Sequence, residues 1–431
     1  MYRPFIPLAL VVLGLPAFAQ TTTAIPETST GRMSIDGAVL TGESTAALTL
    51  ERAITLALQA NPQLAGARHE VQAIAGTVLQ AGLRPNPVLD VGMVDTRRAT
   101  RETTAQLSQT IELGGKRMHR IEAAELGQDA ATADLRARMA EIRAAVTTAF
   151  NDVLTAQERV RLAQESVAVA ARVTNTVAKR VQAGKVSPVD ETRARVAEAN
   201  VRLDAVRVDG ELSTARKTLS GYWGNVMPRF ERALGNLEVL PALPDWNVLV
   251  ADLGNTPALS RARIEMERRR ALLKLEQSRR TPDVTVAVGM KRSQELGLNQ
   301  AVFGLSIPLP LFDRNQGNVL EALRRVDKAG DEFASTQTET HKELAQAYQE
   351  LDTARQEAQS LSGEILPGAQ SAYDAAVKGF DFGKFAYFDV LDAQRTLILA
   401  KSQYLRALQD AHRAAANIDR LAGNTAPVVN Q

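Results

Sequence analysis

Asp389 and Asp392, three residues apart where a long helical pattern begins, are the most pointed chemical pair in the chain. Acids in a first helical turn complement the positive end of the helix dipole, and that alone accounts for such a pair. Asp190 and Arg193 hold the same spacing at the start of an earlier helical pattern. Other chemistry-bearing residues are scattered. The four histidines, His69, His119, His341 and His412, show no metal-ligand spacing such as HExxH. Gly114-Gly115-Lys116-Arg117 has neither the spacing nor the Ser/Thr of a phosphate-binding loop and reads as a turn. Arg268–Arg270 reads as a solvated helix face, and a net charge of +2 leaves no nucleic-acid footprint. With no cysteine, disulfides, thiolate catalysis, Cys-based metal sites and a lipid-bearing N-terminal Cys are excluded. No nucleophile stands with a base. The residues therefore describe neither an enzyme nor a cofactor site.

What must position these residues is a mainly helical frame. The 431 residues are 45% hydrophobic and 23% charged, an ordinary folded balance, but only 4% aromatic. Abundant Ala with few aromatics favours long, closely packed helices. Residues 1–19 read as a signal peptide: Arg3, the apolar run Leu8 to Leu15, then Ala17-Phe18-Ala19 before a cleavage site that leaves Gln20 first. Elsewhere no apolar run reaches the eighteen or so residues of a membrane helix, so any span must be made of strands. Residues 20–48, rich in Thr, Ser and Gly, read as an extended arm.

The remainder repeats itself once. Asn61-Pro62 and Thr256-Pro257 each open a helical pattern with a polar N-cap before Pro. Val91-Gly92-Met93 recurs as Val288-Gly289-Met290, Leu107-Ser108 as Leu305-Ser306, and Gly184-Lys185 with Asp190 as Gly383-Lys384 with Asp389. This ordered series predicts tandem copies at 49–223 and 247–423, a connector at 224–246 and a tail at 424–431. Each copy runs helix, strand, strand, long helix, break, long helix. Residues 117–179 hold no Pro and one Gly, whereas 316–379 hold Gly330, Gly363, Gly368 and Pro367, which predicts kinks or a shorter arm there. From Val390, alternating steps of three and four land on Ala393, Leu397, Ala400, Tyr404, Ala407, Ala411, Ala414, Ile418 and Leu421, all apolar. The matching stripe in the first copy runs from Ala194 to Tyr222 and is broken only by Glu198. A seven-residue repeat in both copies predicts coiled-coil packing.

Between the helices the period changes to two. In 88–95, Leu89, Val91 and Met93 oppose Asp90 and Gly92; in 102–113, Ala105, Leu107, Ile111 and Leu113 oppose a row of polar residues. Val284 to Met290 and 300–307 alternate in the same way. Such segments suit a membrane barrel with a wet interior, and they also suit a sheet on a soluble domain. Four strands leave two open edges, which hydrocarbon does not tolerate. Either the sheet is soluble, or several chains share one closed barrel; three chains would supply twelve strands. Pro308 and Pro310 mark the exit of the last strand from its ladder.

The duplicated helix–hairpin–helix plan, the export signal and the heptad stripes together resemble the TolC-like family of outer-membrane efflux factors, over nearly everything from Leu48 to Gly423. Phe388-Asp389-Val390-Leu391-Asp392-Ala393 resembles that family's segment after the second-repeat tip. Leu107 to Arg117 (LSQTIELGGKR), followed by Arg120, is similar to the strand-to-helix passage of its heavy-metal branch, the CzcC-like proteins. The resemblance implies a homotrimer: a 12-strand β-barrel in outer-membrane lipid above an α-helical coiled-coil tunnel in the periplasm. It implies a periplasmic adaptor (membrane fusion protein) and an inner-membrane RND-type pump as partners, and a passive duct for divalent heavy-metal cations. Asp389 and Asp392 would form an acidic tunnel gate, supported by Asp190 and Arg193. The tips, Gly184, Lys185, Gly383 and Lys384, would contact the adaptor. Three alternatives stand beside this expectation: a drug or organic-solute duct of the same family, a soluble periplasmic coiled-coil scaffold, and an exported enzyme.

Overall fold

The computed structural model describes residues 47–423. The expected leader, most of the N-terminal arm and the tail lie outside the described residues. Chain order is β1 (Leu48–Thr49), α1 (Leu50–Ala60), α2 (Pro62–Gly82), β2 (Val88–Val94), β3 (Glu102–Ile111), α3 (Lys116–Gln182) and α4 (Pro188–Gly221). There follow β4 (Ala233–Leu234), α5 (Trp246–Asp252), α6 (Pro257–Ser278), β5 (Val284–Ser293), β6 (Leu298–Ser306), α7 (Gln316–Ser360), α8 (Leu366–Asp381) and α9 (Tyr387–Ala422).

Helix starts follow local chemistry. The Asn61 side-chain oxygen Oδ1 accepts from the backbone N–H groups of Gln63 (2.9 Å) and Leu64 (3.3 Å), with Pro62 at the first helical position. Its amide also donates to the Tyr222 carbonyl at 2.9 Å, pinning the start of α2 to the end of α4. Thr256 holds the same place before α6, but its hydroxyl makes no cap bond and is buried without a partner. α3 has 67 residues, about 100 Å at 1.5 Å rise per residue. The second arm is interrupted near Gly363, Pro367 and Gly368, where the break takes the form of a π turn at Leu361–Ile365, whereas Gly330 lies inside the unbroken α7. Pro367 has no N–H to give, and the wider turn absorbs the missing bond.

The heptad stripes become seams. From Val390 to Leu421, eight of the ten stripe positions are buried and Ala393 and Tyr404 are half-buried. In α4, Ala194, Val208, Leu212 and Leu219 are buried against α3. α3 packs on α2, α4, α6 and α9; α9 packs in turn on α7 and α8. One core gathers α1, the middle of α3 and the connector around Val146, Phe150, Val153, Leu219 and Trp223. Burying each such large apolar side chain is worth about 1.5–3 kcal/mol. The connector is tied down: Gln157 accepts from the Ala233 N–H (2.8 Å) and donates to its carbonyl (3.1 Å), and β1 pairs with β4 in parallel.

β2-β3-β5-β6 form one antiparallel sheet in that order, so β2 and β6 are its edges. Strand β2 stops at Val94 because Asp95 turns into the left-handed region (φ 63°). Strand β3 stops at Ile111, short of the expected 113, because the Leu113 N–H goes to the Asp283 carboxylate at 3.0 Å instead of a ladder. One face carries the rows Leu89–Leu107–Val288–Phe303 and Val91–Ala105–Met290–Ala301. That apolar face is the exposed one: Val91 is 69%, Met290 60% and Phe303 81% exposed, while Ala287 on the other face is 6%. No helix among the described residues is long and apolar enough to cross a membrane.

Candidate functional site

The helical hairpins end in two tips built alike. After α3, Gly184 adopts φ 66°, its N–H bonds the Val181 carbonyl (2.9 Å), and the Lys185 N–H bonds the Arg180 carbonyl (2.9 Å). After α8, Gly383 (φ 74°) bonds Phe380 (2.9 Å) and Lys384 bonds Gly379 (2.8 Å). Both are Schellman turns, whose left-handed position favours glycine. All four tip residues named from sequence, Gly184, Lys185, Gly383 and Lys384, are exposed.

A shared core joins the tips. Val177 and Ala194 from the first hairpin pack with Ala376, Phe380, Tyr387 and Val390 from the second. Arg180 clasps them: its guanidinium donates to the carbonyls of Phe380 (2.7 Å) and Asp381 (3.1 Å) and lies 4.0 Å from the Phe380 ring centroid. Sequence reasoning missed Arg180, because a lone Arg in a last helical turn looks like ordinary dipole compensation. Burial pushes the Tyr387 phenol upward, Arg395 opposes this, and the nearby Asp190 charge adds to it.

The two carboxylates expected at the gate are held differently. Asp389 accepts from the Ala386 N–H at 2.8 Å and so caps its own helix. Asp392 is exposed, and no ion pair or hydrogen bond engages its carboxylate among the described residues. Asp190 and Arg193, expected to support the gate, face each other at 3.8 Å, with Arg193 66% exposed. A pair so solvated contributes little.

At the far end of α3 lies the strand-to-helix passage. Gly114 adopts φ 72°, and a Cβ there would stand 2.9 Å from the Ser278 carbonyl and from Thr281 Cβ, so only glycine fits. Lys116 pairs with Asp283 at 2.6 Å. Arg120 grips Glu112 at 2.6 Å and donates to the Ala81 (2.9 Å) and Leu83 (3.0 Å) carbonyls; Arg117 donates to that of Gly82 (2.7 Å). The passage thus satisfies the carbonyl end of α2 and sets the angle between sheet and helices. Beyond it, the less exposed sheet face carries Glu102–Lys291 (2.6 Å) and Thr110–Thr285 (3.2 Å), a polar lining opposite the apolar one. Among the described residues no group of three or more His, Asp or Glu side chains could hold a metal ion.

A family model described as "Outer membrane efflux protein" matches residues 53–225 and 248–424. The cobalt-zinc-cadmium resistance protein CzcC of Cupriavidus metallidurans is 44% identical over 423 residues, covering 98% of this chain and 100% of that one. The nickel and cobalt resistance protein CnrC of the same species is 26% identical over 313 residues, covering 71% and 73%. In fold, the chain is similar to the open-state Neisseria gonorrhoeae MtrE outer membrane channel: TM-score 0.74 at 20% identity, covering 87% of this chain and 88% of that one.

Proposed function

The chain belongs to the outer membrane efflux protein family, and from that premise we propose that three copies form the passive exit duct of a tripartite system exporting divalent metal cations. The observation that carries the duct is the four-stranded sheet with its apolar face exposed and two unpaired edges. In lipid that sheet is stable only when neighbours close it into a barrel, and three chains give twelve strands. The metal substrate rests on likeness to CzcC and CnrC, whose names specify cobalt, zinc, cadmium and nickel resistance.

The helices support the same assembly. α4 packs mainly on α3, and α8 mainly on α9, which leaves both as flanks of the helical wall. Each flank exposes a further apolar stripe: Val189, Val196, Leu203 and Val206 on α4, and Ile365, Ala372, Ala375 and Phe382 along the π turn and α8. Arg193, Arg195 and Arg202 beside the first stripe are each paired within α4, with Asp190, Glu191 and Glu198, so the flank of one copy meets the opposite flank of the next through its apolar residues. Repeats 49–223 and 247–423 then act as near-equivalent halves of each chain around the ring.

Asp389 and Asp392 gather at the periplasmic end as an acidic constriction, where clustered carboxylates favour cations. The exposed tips present Lys185 and Lys384 to a periplasmic adaptor, which links the duct to an energised RND-type pump. The duct itself carries out no chemistry. Deleting the gene is expected to lower tolerance to zinc, cobalt, cadmium or nickel more than tolerance to dyes or detergents. The reverse ranking would assign it to organic-solute efflux.

A further inference from the structure

The two rims of the sheet treat their cations differently. At the helix-side rim, Lys116 and Arg120 meet carboxylates, and Arg117 and Arg120 cap backbone carbonyls. At the opposite rim, formed by the hairpins 95–101 and 294–297, five cations (Arg97, Arg98, Arg101, Lys291, Arg292) face three carboxylates (Asp95, Glu102, Glu295). Two of those carboxylates are already committed. Glu102 holds Lys291 at 2.6 Å on the polar face. Asp95 accepts from the Arg97 N–H at 3.0 Å and from the Thr100 hydroxyl, fixing the loop. The side chains of Arg97, Arg98, Arg101 and Arg292 have no hydrogen-bond or ion-pair partner among the described residues, and Arg101 Nε is buried without one. An unpaired buried guanidinium nitrogen is costly, so an acceptor from outside the chain is favoured.

Register places this charge. Arg292 lies opposite Thr103, in the parity of Val286, Val288 and Met290, and Arg101 precedes Thr103 by two on the same face. Both therefore continue the apolar, outward face: Arg292 shares its cross-strand row with Met93 and Thr103, and Met290 and Phe303 lie in the rows behind it. A guanidinium collar over an apolar wall matches an amphiphile with anionic headgroups, and Arg is the side chain that best grips phosphate, through paired N–H donors.

We propose that Arg97, Arg98, Arg101 and Arg292 form a collar that binds the phosphates of a glycolipid in the outer leaflet, locking the exit end of the barrel into its lipid. This inference rests on the duct reading, in that it requires the apolar face to meet lipid. The full-length trimer, purified in neutral detergent, is titrated with diphosphorylated lipid A, monophosphorylated lipid A and phosphatidylethanolamine, and bound lipid is counted by native mass spectrometry. Wild-type trimer is expected to retain the diphosphorylated lipid best and to lose it as salt rises. The R97Q/R98Q/R101Q/R292Q variant is expected to bind it about tenfold or more weakly, with phosphatidylethanolamine unaffected. If that variant does not assemble, the loop variant R97Q/R98Q, which leaves every ladder residue in place, carries the test through the same loss. Unchanged lipid A retention by an intact variant trimer would overturn the collar alone. Equal stabilisation by inorganic phosphate without lipid would overturn the lipid assignment. A wild-type chain that forms no membrane oligomer would overturn the duct reading and the collar together.

Discussion

Asp389 and Asp392 look equivalent in sequence but do different work in the fold. Asp389 spends its carboxylate on the Ala386 N–H, whereas Asp392 keeps its charge free. Asp389→Ala should therefore lower stability by about 0.5–2 kcal/mol per helix start, the ordinary cost of a lost cap. Asp392→Ala should leave the unfolding temperature unchanged while weakening cation selectivity and divalent block of the trimer in a planar bilayer. Equal selectivity in wild type and D392A would remove Asp392 from the gate. His412 offers a second residue-scale test. Burial holds its imidazole below the ordinary 6.5, against a smaller upward pull from its bond to the Leu237 carbonyl. The unfolded chain takes up this proton near 6.5 and the folded chain does not, so stability present above 6.5 is lost as pH falls toward the lower folded value. The unfolding temperature should fall between about pH 7.5 and 5.5, and H412Q should flatten that fall; an equal slope in both proteins would dismiss His412. Residue roles such as these were the least legible from sequence. Arg180, Asp283 and His412 act on backbone groups distant along the chain, and no local spacing announces such a contact.

At the scale of elements the sequence was more informative. The stripe from Val390 to Leu421 specified its own seam because a 3.5-residue repeat can be buried only along one side. Strand alternation likewise fixed the two sheet faces. Which apolar stripe meets its own chain was not legible: Val189, Val196 and Leu203 are chemically like Val208 and Leu212, and only the order in which helices pack separates them. This yields a paired test. Leu203 is 70% exposed in the single chain, so Leu203→Asp should leave helix content intact while lowering the trimer fraction about tenfold or more, by burying a carboxylate in an apolar seam. Leu212→Asp, aimed at the α3–α4 core, should unfold the hairpin itself. A normal trimer in L203D would move the subunit seam elsewhere. The strand-to-helix turn is equally exposed to test. Gly114→Ala should cost about 1–3 kcal/mol in thermal unfolding, because the added methyl meets the Ser278 carbonyl in a backbone conformation that disfavours any side chain.

For the whole molecule, the open edges of the sheet are decisive. A chain that ends its helices in a four-stranded sheet, apolar side outward and both edges unpaired, is incomplete alone in a membrane. Membership of the outer membrane efflux protein family supplies the setting, and three copies, as proposed, would close the edges into twelve strands. The most direct test is native mass spectrometry of protein extracted from the outer-membrane fraction in mild detergent. A mass of three chains is expected, persisting until the detergent is harsh enough to expose the strand edges. A stable single chain recovered from the membrane would contradict it.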